Sequence, residues 1–413
     1  TEDLKTFFPT STLVTGYDII FFWVSRMIMA ALEFLGEVPF KDIYITGLVR
    51  DKQGRKMSKS LGNGIDPLDV VDSYGADAMK FTLCYMAAQG QDILVDLESF
   101  KLGSRFANKI WNATRFLLMN LEGRNLVTVK QEDYSVFDRW MYHQANQAAA
   151  KVTAAIESYR FNDAAQAVYD LFWNDFCDWY VEAVKYMLNR SEDNEKDRII
   201  SVTLDLLAYQ MKLLHPFLSF ITEEIYQKLP NTEGSVIQAS YPVWEHSLDS
   251  PNDLNKVSLL QDVVKSIRTV RAEMHIAPEK RIRVVLRPDR DFQEASFFFQ
   301  QKDLIAYFIG ASELVIDVSH ESEVAKTLPV AGHGFESFVF VRQAIDVERE
   351  IEKLQTELHK SIQSLESVTK KLSNEQFLSN AKPEAIEKEH SKKSEFEEKI
   401  EKGQRHLKLL QAL

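Results

Sequence analysis

Between Ser99 and Leu229 the chain carries apolar residues at spacings of three and four almost without interruption. A helical period held over that length leaves few folds open, because each apolar stripe must be buried against another element. Four segments read as amphipathic helices: FKLGSRFANKIWNATRFLLMNL, DRWMYHQANQAAAKVTAAIESY, NDAAQAVYDLFWNDFCDWYVEAVKYML and DRIISVTLDLLAYQMKLLHPFLSFITEEIYQKL. Long helices joined by short polar links imply an antiparallel bundle. Asn162 and Asp163 are the expected caps of the third helix, and Pro230 the stop of the fourth. A loop rich in Pro, Asp and Ser closes the region, which is expected to span residues 99–255.

Upstream, residues 1–98 read as α/β. STLVTG, Ser11 to Gly16, is a short strand; a helix from about Tyr17 to Leu35 follows, then the turn GEVPF and the strand DIYITGLV. Strand, helix and strand in that order suggest a parallel βαβ unit, part of a Rossmann-like fold, with ligands at the carboxyl ends of its strands. Gly16 and the loop after Val49 lie at those ends. That loop, DKQGRKMSKSLGN, places Lys52, Arg55, Lys56 and Lys59 behind Arg50, with Gly54 and Gly62 on either side of the last cations. A solvated surface loop is the ordinary explanation of such a segment. Crowded positive charge repels itself unless an anion sits there, and glycine lets the backbone move.

Residues 256–341 read as a helix plus a small α/β region, with RIRVVLRP, SELVIDVS and GFESFVFV as strands. From 342 to 413 the pattern changes to two heptad runs among Glu, Lys and Gln. The first uses Ile351, Leu354, Leu358, Leu365, Val368 and Leu372 with Ser361 in the gap; the second uses Ile386, Phe396, Ile400, Leu407 and Leu410. With a break at SNEQFLSNAKP, this is an expected antiparallel coiled-coil hairpin. The fold class is therefore multidomain, α/β followed by all-α.

Two cysteines, Cys84 and Cys177, belong to no CxxC pattern, so neither a thiolate zinc site nor a disulfide framework is expected, and a reducing cytoplasm fits. The most apolar run, IIFFWVSRMIMAALEFLG, contains Arg26 and Glu33 and reads as a core helix, not a membrane span. Of its side chains, most of Phe21, Phe22, Val24, Met27 and Ile28 are expected in a core stripe. A net charge of −12 argues against indiscriminate nucleic-acid binding and leaves a local basic patch open. The chain opens without Met close to an apolar strand, as an excerpt of something larger would.

KMSKS followed by LGN resembles the signature loop of the class I aminoacyl-tRNA synthetases. The resemblance implies ATP, with Mg as its counter-ion, attacked at the α-phosphate with loss of pyrophosphate. Lys56 and Lys59 would supply point charges to the phosphates, and Ser58 and Ser60 hydroxyls or a cap. TGYDIIFFW adds to the match: in the family such a Gly packs against the nucleotide and the Asp binds the ribose, here Gly16 and Asp18. Gly47, Leu48 and Val49 resemble the backbone that reads the adenine edge. The run GYDIIFFWVSRM, RFNDAAQAVYDLFWNDFCDWYVE, the RTVRAEM helix and the terminal hairpin together resemble the valine-specific branch of the family. Isoleucine and methionine branches typically carry zinc-binding cysteines, and the leucine branch lacks this hairpin. Ile19 and Trp23 would then wall the valine side chain.

By the same resemblance the bundle would bind the anticodon of tRNA(Val). Arg105, Lys109, Asn112 and Phe116 follow one another at steps of four, three and four, giving one face with cations, an amide and a ring. Trp111, Phe106 and Leu117 are expected in the core, as are Phe172, Trp173, Phe176, Trp179 and Tyr180. The hairpin would lean on the tRNA elbow through lysines such as Lys370, Lys371, Lys392 and Lys393. A HIGH signature is missing from the sequence, and so is an editing domain, which the family needs because a valine pocket cannot strongly reject threonine. The expectation is a carboxyl-terminal portion of a monomeric, cytoplasmic valine-activating enzyme, able to bind tRNA but not to aminoacylate alone. A non-catalytic tRNA-binding factor is the alternative; the intact KMSKS speaks against it.

Overall fold

Parallel pairing of the first two apolar strands organises the amino-terminal region of the computed structural model. The structure describes residues 1–290, 292–374, 383–411 and 413, without the side chains of Lys59 and Glu384. It divides into two units, Thr1–Leu254 and Asn255–Leu413.

In the first unit, helix α1 (Glu2–Phe7) is capped by Thr1. Strand β1 (Thr10–Gly16) pairs in parallel with β2 (Phe40–Thr46), in register from Thr10↔Phe40 to Gly16↔Thr46. The connection is not the continuous α-helix expected from Tyr17. A 3₁₀ turn (Tyr17–Ile19) and a π-turn segment (Ile20–Val24) precede α2 (Ser25–Leu35), which ends at Gly36 with φ of 69°. The Ser25 hydroxyl donates to the Phe21 carbonyl at 2.6 Å, competing with the regular backbone ladder. The expected core stripe is also corrected: Val24 is buried, but Phe21 is 88% and Phe22 59% exposed. Met27 and Ile28 are half-buried. Apolar spacing marked the stripe, yet no layer among the described residues covers those rings.

The expected strand DIYITGLV splits. β2 stops at Thr46, and β3 (Val49–Arg50) pairs in parallel with β4 (Ile93–Leu94). Gly47 marks the break because a Cβ there would sit 1.9 Å from the Gln91 carbonyl oxygen. After the cationic loop come α3 (Pro67–Tyr74), capped by Asp66, and α4 (Ala76–Met86).

An Asp96/Ser99 capping box leads into α5 (Lys101–Leu121), and a Ser135/Asp138 box opens α6 (Val136–Glu157). The third helical run comprises α7 (Phe161–Tyr169), a π-helical stretch (Asp170–Val181) and α8 (Glu182–Leu188). Its N-cap is Arg160, not Asn162 or Asp163; both lie inside the first turn, where Asp163 pairs with Arg160 at 3.3 Å. The fourth run breaks into α9 (Asp193–Leu214) and α10 (Ser219–Tyr226). Pro216 lacks the N–H that the helix needs, so the interruption falls there and Pro230 lies beyond the end of α10. Phe106, Ile110, Leu117, Trp140, Met141 and Phe176 form the core of these helices.

Side-chain hydrogen bonds tie the bundle to the α/β region, among them that of Lys80 Nζ to Ser219 Oγ at 2.7 Å. Tyr159, in the α6–α7 link with φ of 58°, bonds Thr12 Oγ1 at 2.8 Å and Asp42 Oδ2 at 3.3 Å and stacks on Tyr44. Asp77 on α4 accepts the Phe220 and Ile221 N–H groups at the start of α10.

Helix α11 (Pro251–Glu273) leads into the second unit. Its sheet runs β6-β5-β8-β7, with β5 (Ile282–Pro288) parallel to β6 (Ala311–Ile316) and antiparallel to β8 (Phe335–Val339). Helices α12 (Ala295–Gln300) and α13 (Lys302–Ile309) lie between β5 and β6. Edge strand β7 (Leu328–Gly332) escaped the sequence reading because Pro329 argues against a strand except at an edge. Helices α14 (Val347–Leu372) and α15 (Pro383–Gln411) pack together: Gly403 meets Leu358, and Arg342 donates to the Leu413 carbonyl at 3.0 Å. Ser361 is buried, as are Leu358, Val368 and Leu410. The expected break at SNEQFLSNAKP falls largely on residues 375–382, outside the described residues.

Candidate functional site

The carboxyl end of β1 and the cationic loop meet through one ion pair. Lys56 Nζ lies 2.8 Å from Asp18 Oδ2, and this hydrogen bond outweighs the opposing effect of partial desolvation and holds the Asp18 carboxyl below its ordinary range. Gly16 packs beside them: a Cβ there would be 2.9 Å from Asp18 Oδ1 and 3.2 Å from Leu48 Cδ2. Gly16, Asp18, Leu48 and Lys56 therefore share one corner, at the end of the strand where α/β folds bind ligands.

Residues that sequence reasoning missed hold this corner. Asp92 Oδ1 accepts the Leu48 N–H at 2.8 Å, while Oδ2 takes the Arg50 guanidinium and the Tyr17 hydroxyl. The Leu48 amide first, then Arg50, keeps the Asp92 carboxyl low. Leu48 also gives its carbonyl to the Ile93 N–H at 2.9 Å, so both its backbone groups are engaged within the protein.

The loop is folded on Asp51. Its carboxylate accepts Gln53 N–H at 3.1 Å, Arg55 N–H at 2.8 Å and Asn63 Nδ2–H at 2.9 Å. Those bonds, led by Asn63 and with Arg55 behind it, lower Asp51 to about 2. Asn63 Oδ1 in turn accepts the Ser58 N–H at 3.0 Å, and Ser58 Oγ lies 3.2 Å from Ser60 Oγ. Gly54 and Gly62, with φ of 76° and 61°, supply the left-handed turns at the loop's two ends. The backbone of Lys59 opens a 3₁₀ turn, Lys59–Leu61; its side chain lies outside the described residues. Ile19 and Trp23 follow Asp18 on the irregular helical segment and are 36% and 63% exposed. Among the described residues no three His, Cys, Asp or Glu side chains are grouped to hold a metal ion, and no helix is long and apolar enough to cross a membrane.

On α5 the expected face is split between solvent and protein. Arg105 and Asn112 are exposed. Lys109 pairs with Asp178 at 2.7 Å and lies over the Trp173 ring. Phe116 is half-buried beneath Lys185, 5.3 Å from its ring centroid. Phe106 and Leu117 are core residues, but Trp111 is not: it is 43% exposed. Of the hairpin lysines, Lys370 and Lys371 are exposed, while Lys392 and Lys393 pair with Glu389 and Glu397 on their own helix.

Residues 1–96 match the family described as tRNA synthetases class I (I, L, M and V). Residues 138–286 match the anticodon-binding domain of tRNA ligase, and 346–411 the valyl tRNA synthetase tRNA binding arm. A valine–tRNA ligase of Treponema denticola is 48% identical over 97% of this chain and 46% of its own length. Counterparts from Treponema pallidum and Borreliella burgdorferi are 44% and 40% identical, over 96% and 97% of this chain and 44% and 45% of their own. The chain thus spans slightly under half the length of these relatives.

Proposed function

Because the chain belongs to the valine–tRNA ligase family of class I synthetases, we propose that the whole protein joins valine to ATP as valyl-adenylate and passes it to tRNA(Val). Lys56 and Lys59 stabilise charge that builds on the phosphates as pyrophosphate leaves. Asp18 holds the ribose, Gly16 admits the nucleotide, and Ser58 and Ser60 shape the loop. Gly47 and Val49 border the adenine; Leu48 contributes by its side chain packed against Gly16. Ile19 and Trp23 face the valine side chain. Mg arrives with ATP as its counter-ion. The observation that carries this reading is the Lys56–Asp18 ion pair, which joins the loop to the end of β1.

The same reading assigns residues 1–98 to nucleotide and amino-acid chemistry and 99–255 to the anticodon, through Arg105, Lys109, Asn112 and Phe116. Residues 256–341 form a connecting α/β region, and 342–413 a coiled-coil hairpin on the tRNA. The enzyme works as a cytoplasmic monomer. No HIGH signature occurs in these 413 residues, so the chain alone binds tRNA but does not form adenylate. Valine-dependent ATP–pyrophosphate exchange tests both parts. The whole protein should turn over and lose activity with Lys59→Ala, while this chain alone should be silent. Unchanged exchange in the Lys59→Ala protein would favour a non-catalytic tRNA-binding factor, and turnover by this chain alone would refute its dependence on a second signature.

A further inference from the structure

Residues 91–96 run beside the stem of the cationic loop and meet it from Gly47 to Lys52. A Cβ on Gly47 would fall 1.9 Å from the Gln91 carbonyl oxygen. Asp92 accepts the Leu48 N–H at 2.8 Å. The Ile93 N–H donates to the Leu48 carbonyl at 2.9 Å, and the Val95 N–H to the Arg50 carbonyl at 3.0 Å. Asp96, which caps the turn leading into α5, pairs with Lys52 at 2.5 Å. Asp92 also reaches across to the turn after β1. Its Oδ2 takes the Arg50 Nε–H and, at 3.3 Å, the Tyr17 hydroxyl. Arg50 closes the ring, with Nη2 donating to the Tyr17 oxygen at 3.1 Å and Nη1 to the Gly54 carbonyl at 3.2 Å. One carboxylate thus joins the loop's stem, the approach to β4 and the residue that precedes Asp18.

We propose that Asp92 is a positioning residue for adenylate formation: it fixes the stem of the loop to the end of β1, so that Lys56 and Lys59 reach the phosphates from a base already in register with Asp18. The proposal rests on the reading of the site given above. Asp92 touches neither ATP nor valine in it and acts through the loop. Its contacts suit that task, because a carboxylate shared by a guanidinium, an amide and a hydroxyl is held by directional, charge-assisted bonds. The planar fork of Arg50 meets Asp92, Tyr17 and Gly54 at once, which a lysine's point charge could not do. Beyond Gly54 the bonding changes character. Asn63 bonds Asp51 and the Ser58 amide within the loop, and Lys56 pairs with Asp18. The part that moves therefore begins after the stem. A stem free to tilt would displace both lysines together, and a misplacement of about 1 Å costs on the order of 10²-fold in rate.

The test uses the whole protein, with rates expressed per active site after titration by the burst of valyl-adenylate. Asp92→Asn keeps an oxygen for the Leu48 amide and removes the charge that holds Arg50. The kcat of valine-dependent pyrophosphate exchange should fall about 10- to 100-fold, with the KM for valine within about twofold of wild type. Single-turnover transfer of bound valyl-adenylate to tRNA should keep the wild-type rate, since pyrophosphate has already left. Arg50→Lys should repeat the pattern. In a Lys59→Ala background, Asp92→Asn should cost far less than it does alone. If Asp92→Asn lowers only the number of active sites, or slows transfer as much as exchange, Asp92 is a structural residue and the proposal is overturned. Losses that multiply in full with Lys59→Ala overturn it as well, because Asp92 would not then act through the loop. If Lys59→Ala impairs exchange and Asp92→Asn does not, this proposal falls and the reading of the site stands. If Lys59→Ala itself changes nothing, the reading of the site fails and takes this proposal with it.

Discussion

Lys56 and Asp18, 38 residues apart, close a 2.8 Å ion pair between the cationic loop and the first residues after β1. In the proposed mechanism these same groups bind phosphate and ribose, so nucleotide must draw each away from the other. Lys56→Ala in the whole protein should lower valine-dependent pyrophosphate exchange about 10²- to 10³-fold, mainly in kcat. Asp18→Asn should act mainly on the KM for ATP. The double variant should lose less than the product of the two, since the groups are in direct contact. Full additivity in exchange kinetics would contradict the coupling.

Asn63 fastens the loop at two points, Asp51 and the Ser58 amide. Replacing it with Ala should leave Tm nearly unchanged but speed tryptic cleavage after Arg55, Lys56 or Lys59 by about tenfold, the equivalent of one lost charge-assisted bond. Cleavage at the wild-type rate would mean the loop is held elsewhere.

The Asp51 carboxylate is favoured in the folded loop, with its pKa lowered to about 2 from an ordinary 3.8, chiefly by Asn63. Its contribution is complete above the ordinary value and disappears as pH falls through about 2. The Gln53 and Arg55 amide resonances, whose N–H groups donate to Asp51, should therefore titrate near 2. A midpoint at the ordinary carboxylate value would show that the bonds do not form in solution.

Gly47 and Gly103 are required by close backbone approach. A Cβ would fall 1.9 Å from Gln91 O at the first and 2.4 Å from Ala78 O at the second. Alanine at either position should destabilise by about 1–3 kcal/mol. Gly64→Ala, with nothing within 4 Å of the added atom, is the neutral control. Thermal unfolding distinguishes them, and equal Tm values for all three would count against the packing described.

Tyr159→Phe keeps the stack on Tyr44 but removes the hydrogen bonds to Thr12 and Asp42. A loss of about 1 kcal/mol is expected in denaturant unfolding. Amide exchange in β1 and β2 should rise more than in the core of α9; uniform change would argue against a local joint.

Local patterns were readable because their causes are local. The short run STLVTG ending in Gly16 marks β1, three-and-four spacing marks α5 through α9, and clustered cations between glycines mark the loop. Helix interruptions were less readable: Pro216 could have shown the break after α9, whereas the π-turn before Ser25 depends on one hydroxyl choosing the Phe21 carbonyl.

Periodicity states that a face is apolar; it does not state what covers it. That is why Phe21 and Trp111 were placed in a core by spacing and stand exposed in the fold. Asp92, Asn63 and Tyr159 are unremarkable in sequence, because their importance lies in partners such as Tyr17, Asp51 and Thr12 at long sequence separation. The chain's own letters determined helices, strands and a cluster of positive charge between glycines. Only tertiary structure decided that Lys56 faces Asp18, since hydrogen bonds and ion pairs form by distance in space, and distance is set when the elements pack.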